Sequence, residues 1–272
     1  MTNKLISGSR RSEDLIRSYL TRNIAPSDNK GHDFHPPVAD NITPPITTTS
    51  QNSGIAYHIP KSRFTNLPTE YVNFLRDAGH FDLSRAQGLS VEKYVLRINP
   101  DVRNSATSVG VSLTGNDGEY VRNINQTDAR KLVHSMGAKL LTTSLMYNVF
   151  IPYVKELSDQ GDTDAKKTLD EIVSNMAEWL DDRIEKKKTL IIGSEKKKIS
   201  LPGRGGKFNR GDIGDYGYPS NVNDNGEFYF YAPRDNNAAV IRGGGSELSL
   251  ILDRAPANTF DGLGVRLAKI FS

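Results

Sequence analysis

Val240-Ile241-Arg242-Gly243-Gly244-Gly245, Arg254-Ala255-Pro256 and Gly264-Val265-Arg266-Leu267 punctuate the carboxyl-terminal stretch of the chain. A glycine lets the backbone turn or approach a neighbour closely, and an arginine carries a planar five-donor fork that pins carbonyls or carboxylates. Proline fixes the path between them. The spacing predicts two stiff frames in which Arg242, Gly243, Gly244, Gly264 and Arg266 are framework residues, both arginines being held inside the fold. Between the frames, residues 245–249, Asp253, Arg254 and residues 258–262 follow neither a helical nor a strand period. Their side chains therefore read as chosen for contact rather than packing.

Composition sets the bounds around this region. Apolar residues are 36% and charged residues 25% of 272, the balance of a soluble chain able to bury one large core. No apolar run approaches the ~18 residues of a membrane-spanning helix. Arg10, Arg11, Arg17 and Arg22 are followed by no apolar h-region, so no secretory signal is read there. Cysteine is absent, which excludes disulfides, thiolate zinc sites and cysteine nucleophiles. The net charge of +3 is unevenly placed: residues 183–210 hold ten Lys/Arg against two Glu, whereas residues 211–272 hold five against eight acidic residues.

Residues 1–60 read as a largely extended leader. A short helix over residues 5–20 is too polar to stand alone. Residues 25–60, rich in Pro, Thr, Ser and Asn, bury too little to order themselves and suit a tether or strap docked on another structural protein. His32 and His35 have a His-x-x-His spacing without a matching third ligand, so with His58 they read as solvated loop residues, and no metal is expected. Residues 61–87 form a connector with a helix over residues 69–78 stopped by Gly79. The globular domain is placed at residues 88–272.

Within that domain, strands are expected over residues 94–98 and 108–113. Helices are expected over 128–136, with Thr127 as N-cap and Gly137 at C′, over 143–157 with a kink at Pro152, and over 162–184. The last carries Leu169, Ile172, Val173, Met176, Leu180 and Ile184 at helical spacing, with Trp179 beside that face in the core. Residues 189–194, between two Lys-Lys-Lys runs, read as an edge strand guarded by lysines. A loop dense in Gly, Asp and Asn spans 202–225, then residues 228–231 read as a buried strand and 238–242 as another. The class is α+β, with helices packed on short antiparallel sheets.

The order of these features resembles the C-type lectin fold in its formylglycine-generating-enzyme form. Leu140-Leu141-Thr142-Thr143 stands where that family has Leu-Pro-Thr-Glu, Ile241-Arg242-Gly243-Gly244 follows a loop-rich middle, and Gly264-Val265-Arg266-Leu267 stands where it has Gly-Phe-Arg-Leu. The resemblance covers residues 88–272. Those enzymes oxidise a substrate cysteine with a cysteine pair that this chain lacks, so the closer likeness is to the variable proteins of diversity-generating retroelements. It implies no catalysis, no cofactor, and a variable region over about residues 234–272, diversified by adenine-directed mutagenesis. The implied function is recognition of a protein or glycan ligand on another cell or virus surface, with display on a virion or microbial surface.

Implied ligand contacts are Gly245, Ser246, Glu247, Leu248 and Ser249, then Asp253, Arg254, Asn258, Phe260 and Asp261, with Asp235, Asn236 and Asn237 as a further group. Leu248 and Phe260 are expected to be apolar anchors in a polar rim. The sugar motifs of a calcium lectin are missing, although residues 221–225 offer hard oxygens that suit a structural Ca²⁺. Two other function classes are open. One is a nucleic-acid or anionic-surface binder through residues 186–198, disfavoured because no stacking aromatics are interleaved with the lysines. The other is an enzyme on the same scaffold, for which no nucleophile with a partnered histidine is visible, His134 reading as a packing or surface residue.

Overall fold

The structure, a computed structural model, describes residues 56–64, 66–76, 87–92, 100–112, 121–174, 176–186, 188–245, 247–259 and 262–271. Runs of burial set its elements. In chain order they begin with β1 (Ala56–Pro60), α1 (Thr69–Arg76), β2 (Gly88–Glu92), α2 (Pro100–Ser108), α3 (Gln126–Ser135) and β3 (Lys139–Leu140). A π-helical segment (Leu145–Phe150) runs into α4 (Ile151–Asp159), followed by α5 (Thr163–Ser174). Then come β4 (Ala177–Lys186), β5 (Thr189–Ile192), β6 (Glu195–Lys198), β7 (Gly206–Phe208) and β8 (Phe228–Tyr231). β9 (Asn237–Gly243), β10 (Leu248–Arg254), β11 (Leu263–Gly264) and β12 (Leu267–Phe271) complete the described chain.

The larger sheet has the order β6-β5-β4-β9-β10-β8-β7, with β11 beside β4; the smaller is β1-β2-β12-β3. Most pairs are antiparallel, but β10 with β8 and β11 with β4 are parallel, so the sheets are not purely antiparallel. The larger sheet divides the core. On one face Leu180, Phe230, Ile241 and Leu250 pack with Tyr147, Phe150, Leu169 and Ile172. On the other, Trp179, Val240 and Ile251 pack with Val102, Leu132, Val133 and Leu263. Burial of this kind contributes about 25 cal/mol per Å² of apolar surface, and it is what holds the sheet between its helices.

Several expectations are corrected. Residues 56–60, assigned to the leader, form β1 in register with β2, and Tyr71, Phe74 and Leu75 of α1 are buried in the main core. The described connector is thus part of the domain. The helix expected over 162–184 stops at Ser174, and its second half is β4. Residues 177–182 are buried without alternation, because a central strand covered on both faces shows no period of two and its apolar spacing mimics a helix.

The strand expected over 108–113 is, where described, the last residue of α2 and the turn that follows it. There Gly110 (φ +71°) and the Val111 N–H to Ala106 C=O bond close the helix as Gly137 closes α3, both being left-handed C′ glycines. The N-cap of α3 is Asn125, whose side chain accepts from Asp128 N–H at 2.8 Å, rather than Thr127.

Pro152 enters α4 at its first turn just after the π segment, where the Ile151 N–H reaches back to Met146; the wider turn accommodates the missing N–H. Residues 189–192 are one strand in from the edge, and the edge strand β6 carries the lysines itself. The loop read over 202–225 contains β7 and a 3₁₀ turn at Arg210–Asp212. The leader up to residue 55, with His32 and His35, and the strand expected over 94–98 lie outside the described residues.

Candidate functional site

The frame around the carboxyl-terminal segment rests on one buried ion pair. Arg266 bonds Glu178 of β4 through Nε (2.8 Å) and a terminal nitrogen (2.6 Å), with the two side chains 1% and 2% exposed. Its guanidinium also donates to the Glu92 carbonyl at 3.1 Å and lies 4.8 Å from the Phe150 ring centroid. A fork with this many partners in a dry site fixes the β11–β12 corner against the central strand. Gly243 is the second fixed point. A Cβ there would sit 2.3 Å from the Ile172 carbonyl oxygen and 2.4 Å from that of Val173, and its N–H donates to Met176 C=O at 2.7 Å. Only glycine allows that approach.

Arg242 does not share this role. It is exposed on β9 and, among the described residues, makes no ion pair. Burial or exposure of the two arginines follows from what lies opposite each: Glu178 faces Arg266, while Arg242 pairs in register with Ala177 and Ser249. Gly244 and Gly245 form the exposed turn from β9 to β10, with Gly245 at φ +78°, and Gly264 is buried in β11.

The expected contact residues fall into two groups at opposite ends of β10. Gly245, Glu247 and Ser249 lie at the β9–β10 turn. Asp253, Arg254 and the exposed Asn258 lie at the far end, beside the exposed Asp235 and Asn236 that precede β9. Their nearest members, Ser249 and Asp253, are four residues apart on β10, about 13 Å at ~3.3 Å per residue, with the buried Leu250, Ile251 and Leu252 between them. The two groups do not form one patch. Leu248 is buried at 5% exposure in the main core and is no exposed anchor; Asn237 is likewise buried as it enters β9. The non-periodic reading failed here because Leu248, Leu250 and Leu252 alternate toward one core, and the register shift after Ile251 hides the pattern. Ser246, Phe260 and Asp261 lie outside the described residues.

The turn-side group continues onto a sheet face that sequence reading missed. Arg242, Ser249, Tyr229 and Lys207 stand in register across β9, β10, β8 and β7, spanning about 14 Å at ~4.8 Å per strand. One step along, Val240, Ile251 and Tyr231 are in register; the first two are buried under α2 and α3, while Tyr231 is 42% exposed. The helices therefore cover one end of the face and leave the other open. The rings of Tyr229 and Tyr231 are 4.7 Å apart, tilted by 55°, and Lys207 forms an ion pair with Glu247 of the turn. The signal in the sequence was the alternation Phe228-Tyr229-Phe230-Tyr231, with Phe inward and hydroxylated rings outward.

A second polar cluster lies wholly inside. Asp182 Oδ2 accepts from Thr143 N–H (2.7 Å) and the Tyr218 hydroxyl (2.9 Å), and Thr142 Oγ1 accepts from Leu145 N–H at 3.2 Å. The Leu-Leu-Thr-Thr stretch thus opens its helix on a carboxylate from β4, a favourable charge for a helix N-terminus. Burial pushes Asp182 up to about 7, against the opposing effect of the Thr143 and Tyr218 hydrogen bonds, and the neighbouring Asp181 is also raised by burial although Arg130 lies 3.0 Å away. Every partner of Asp182 is buried with it, so the cluster ties helix, strand and the 214–218 loop rather than meeting a solute.

Other candidates are placed as follows. Lys196 and Lys197 are engaged by Glu185 at 2.5 Å and Glu70 at 2.7 Å, respectively, which reduces the field of the basic edge. His58 and His134 are exposed, and no metal-holding group of His, Asp or Glu occurs among the described residues. Among those residues no helix is long and apolar enough to cross a membrane. No family model, curated protein or solved structure matches the chain.

Proposed function

We propose that this protein is a non-catalytic ligand-binding protein for receptor recognition. In this reading it has a C-type lectin-like fold of the formylglycine-generating-enzyme type, a surface site diversified by a retroelement, and display on a virus or microbial surface. The observation that carries the reading is the open end of the larger sheet. There Arg242, Glu247, Ser249, Tyr229 and Tyr231 present side chains outward from strands whose opposite face is core. Such side chains can change without disturbing packing, since substitutions away from buried features usually alter stability by only about ±0.5 kcal/mol.

The fixed points support the same reading. Arg266 with Glu178 and Gly243 against α5 hold the backbone on either side of the exposed residues, the preorganisation that a tolerant recognition surface requires. The split of the contact residues narrows the site to the β9–β10 turn and the adjoining face, with the Asp253, Arg254 and Asn258 end as a separate rim.

The test is a paired measurement on a chain in which Glu247, Ser249, Asp253, Arg254 and Asn258 are replaced together. Panning the parent against arrayed cell-surface proteins and glycans supplies the ligand. The multiple variant is expected to keep the parent's thermal midpoint and lose retention on that ligand. Unfolding of the variant would make these residues structural, and unchanged retention would move the site elsewhere. A near-repeat of the coding region for residues 240–272 that differs at adenines, beside a reverse transcriptase gene, is the expected genomic companion.

A further inference from the structure

We infer that the open face of β7, β8, β10 and β9 recognises an acidic polypeptide segment, with Tyr229 and Tyr231 as fixed anchors and Arg242 and Lys207 as flanking cations. The inference rests on the ligand-binding reading above and names the ligand's chemistry. Tyr229 and Tyr231 precede the stretch marked as variable, so this part of the site would stay constant while the turn beside it changes.

The anchors are already ordered. Phe228 and Phe230, alternating with them, are 4% and 0% exposed, and the tyrosine rings brace one another at 4.7 Å. A rigid aromatic that loses little rotamer freedom on contact is an efficient binding residue, and tyrosine combines apolar area with a hydroxyl. Ser249, between Tyr229 and Arg242 in the row, supplies a small adaptable donor and acceptor. Tyr, Ser and Arg are the composition of protein-binding paratopes.

Charge selects the partner. Lys207 is held by the carboxylate of Glu247 in a pair about one-third exposed, a contact weak enough for a ligand carboxylate to take by exchange, with Glu247 turning to solvent. At the other end of the row Arg242 is exposed and makes no ion pair among the described residues. Arg242 and Lys207 are three strands apart, about 14 Å. Two carboxylates four residues apart on one side of an extended peptide have the same separation, roughly 4 × 3.4 Å, with the residue midway between them facing the tyrosines. A neutral glycan gains nothing from two cations at that spacing. A nucleic acid would need a continuous basic stripe, whereas the two cations of this row are separated by Ser249 and Tyr229.

The probe is a phage-displayed library of random linear peptides, panned against the full chain at low salt. Expected winners carry Asp or Glu at i and i+4 around an aromatic or apolar residue. Their binding should fall at least about tenfold on Tyr231→Ala and on Arg242→Ala, with thermal midpoints unchanged, and should weaken with added salt. Enriched peptides without acids, or peptides indifferent to both substitutions, would overturn the inference, as would failure of any peptide to enrich. Retention of a neutral glycan that depends on Glu247 and Ser249 but not on Tyr231 would overturn this inference while leaving the ligand-binding reading intact. Loss of the fold in Tyr231→Ala is controlled by Tyr231→Phe, which keeps the ring and should retain most of the binding.

Discussion

Replacing Arg266 by Met removes a cation from a site where Glu178 has no access to water, both side chains being no more than 2% exposed. Two charge-assisted hydrogen bonds to Glu178, at 2.8 and 2.6 Å, disappear with it. At about 1.5–3 kcal/mol each, they give a loss of about 3–6 kcal/mol, in line with the ~3–5 kcal/mol typical of breaking a buried pair from one side. The double replacement Glu178→Met with Arg266→Met leaves no buried charge, so it should be markedly more stable than the sum of the two single losses. Urea unfolding can be followed by Trp179, the only tryptophan, which is buried with its indole N–H bonded to Ile124 C=O at 2.7 Å. An Arg266→Met midpoint within error of the parent, or single losses that simply add, would refute the assignment of this pair as the frame.

Asp182→Asn should change the pH dependence of stability. The folded carboxyl is raised from 3.8 to about 7, so the folded state holds a proton that the unfolded state has released. Stability therefore falls as pH rises from about 4 to about 7 and levels off above. The Asn variant should gain on the parent across that window by an amount bounded near 4 kcal/mol, read from denaturant midpoints at several pH values; a pH-independent difference would contradict it. Gly243→Ala should cost about 1–3 kcal/mol because its Cβ meets fixed carbonyl oxygens of α5. Gly244→Ala, whose nearest contact would be the Glu247 oxygen at 3.6 Å, should unfold like the parent, and equal losses at both glycines would refute the close-packing account. Lys196→Ala should leave stability within about 1 kcal/mol of the parent by thermal melting, since its pair with Glu185 is exposed; a larger loss would assign the edge a structural role.

The legible parts of the fold were those whose cause is local. Gly137 closing α3, the apolar face of that helix, and strands over 228–231 and 238–242 follow from turn chemistry and short periods. β4 was misread because both its faces are buried, which erases the alternation that marks a strand. The two arginines looked alike in sequence, and only Glu178, 88 positions before Arg266, distinguishes the buried one. Leu248 looked like an exposed anchor because the sequence did not reveal that β10 is a core strand between β9 and β8. Tyr229 and Tyr231 carried a readable signal, the outward hydroxyl at alternate positions, but the four-residue run of aromatics suggested burial on both faces.

The central claim is that binding and folding are carried by different side chains of the same strands. A library with every position of β8 to β12 substituted singly, sorted once for protease resistance and once for retention on the selected ligand, tests it directly. Resistance should fall at Gly243, Leu250 and Arg266, while Arg242, Ser249 and Tyr231 should tolerate most residues for folding and few for binding. Coincident losses at Arg242, Ser249 and Tyr231 in both sorts would contradict the account, because the same residues would then be holding the fold.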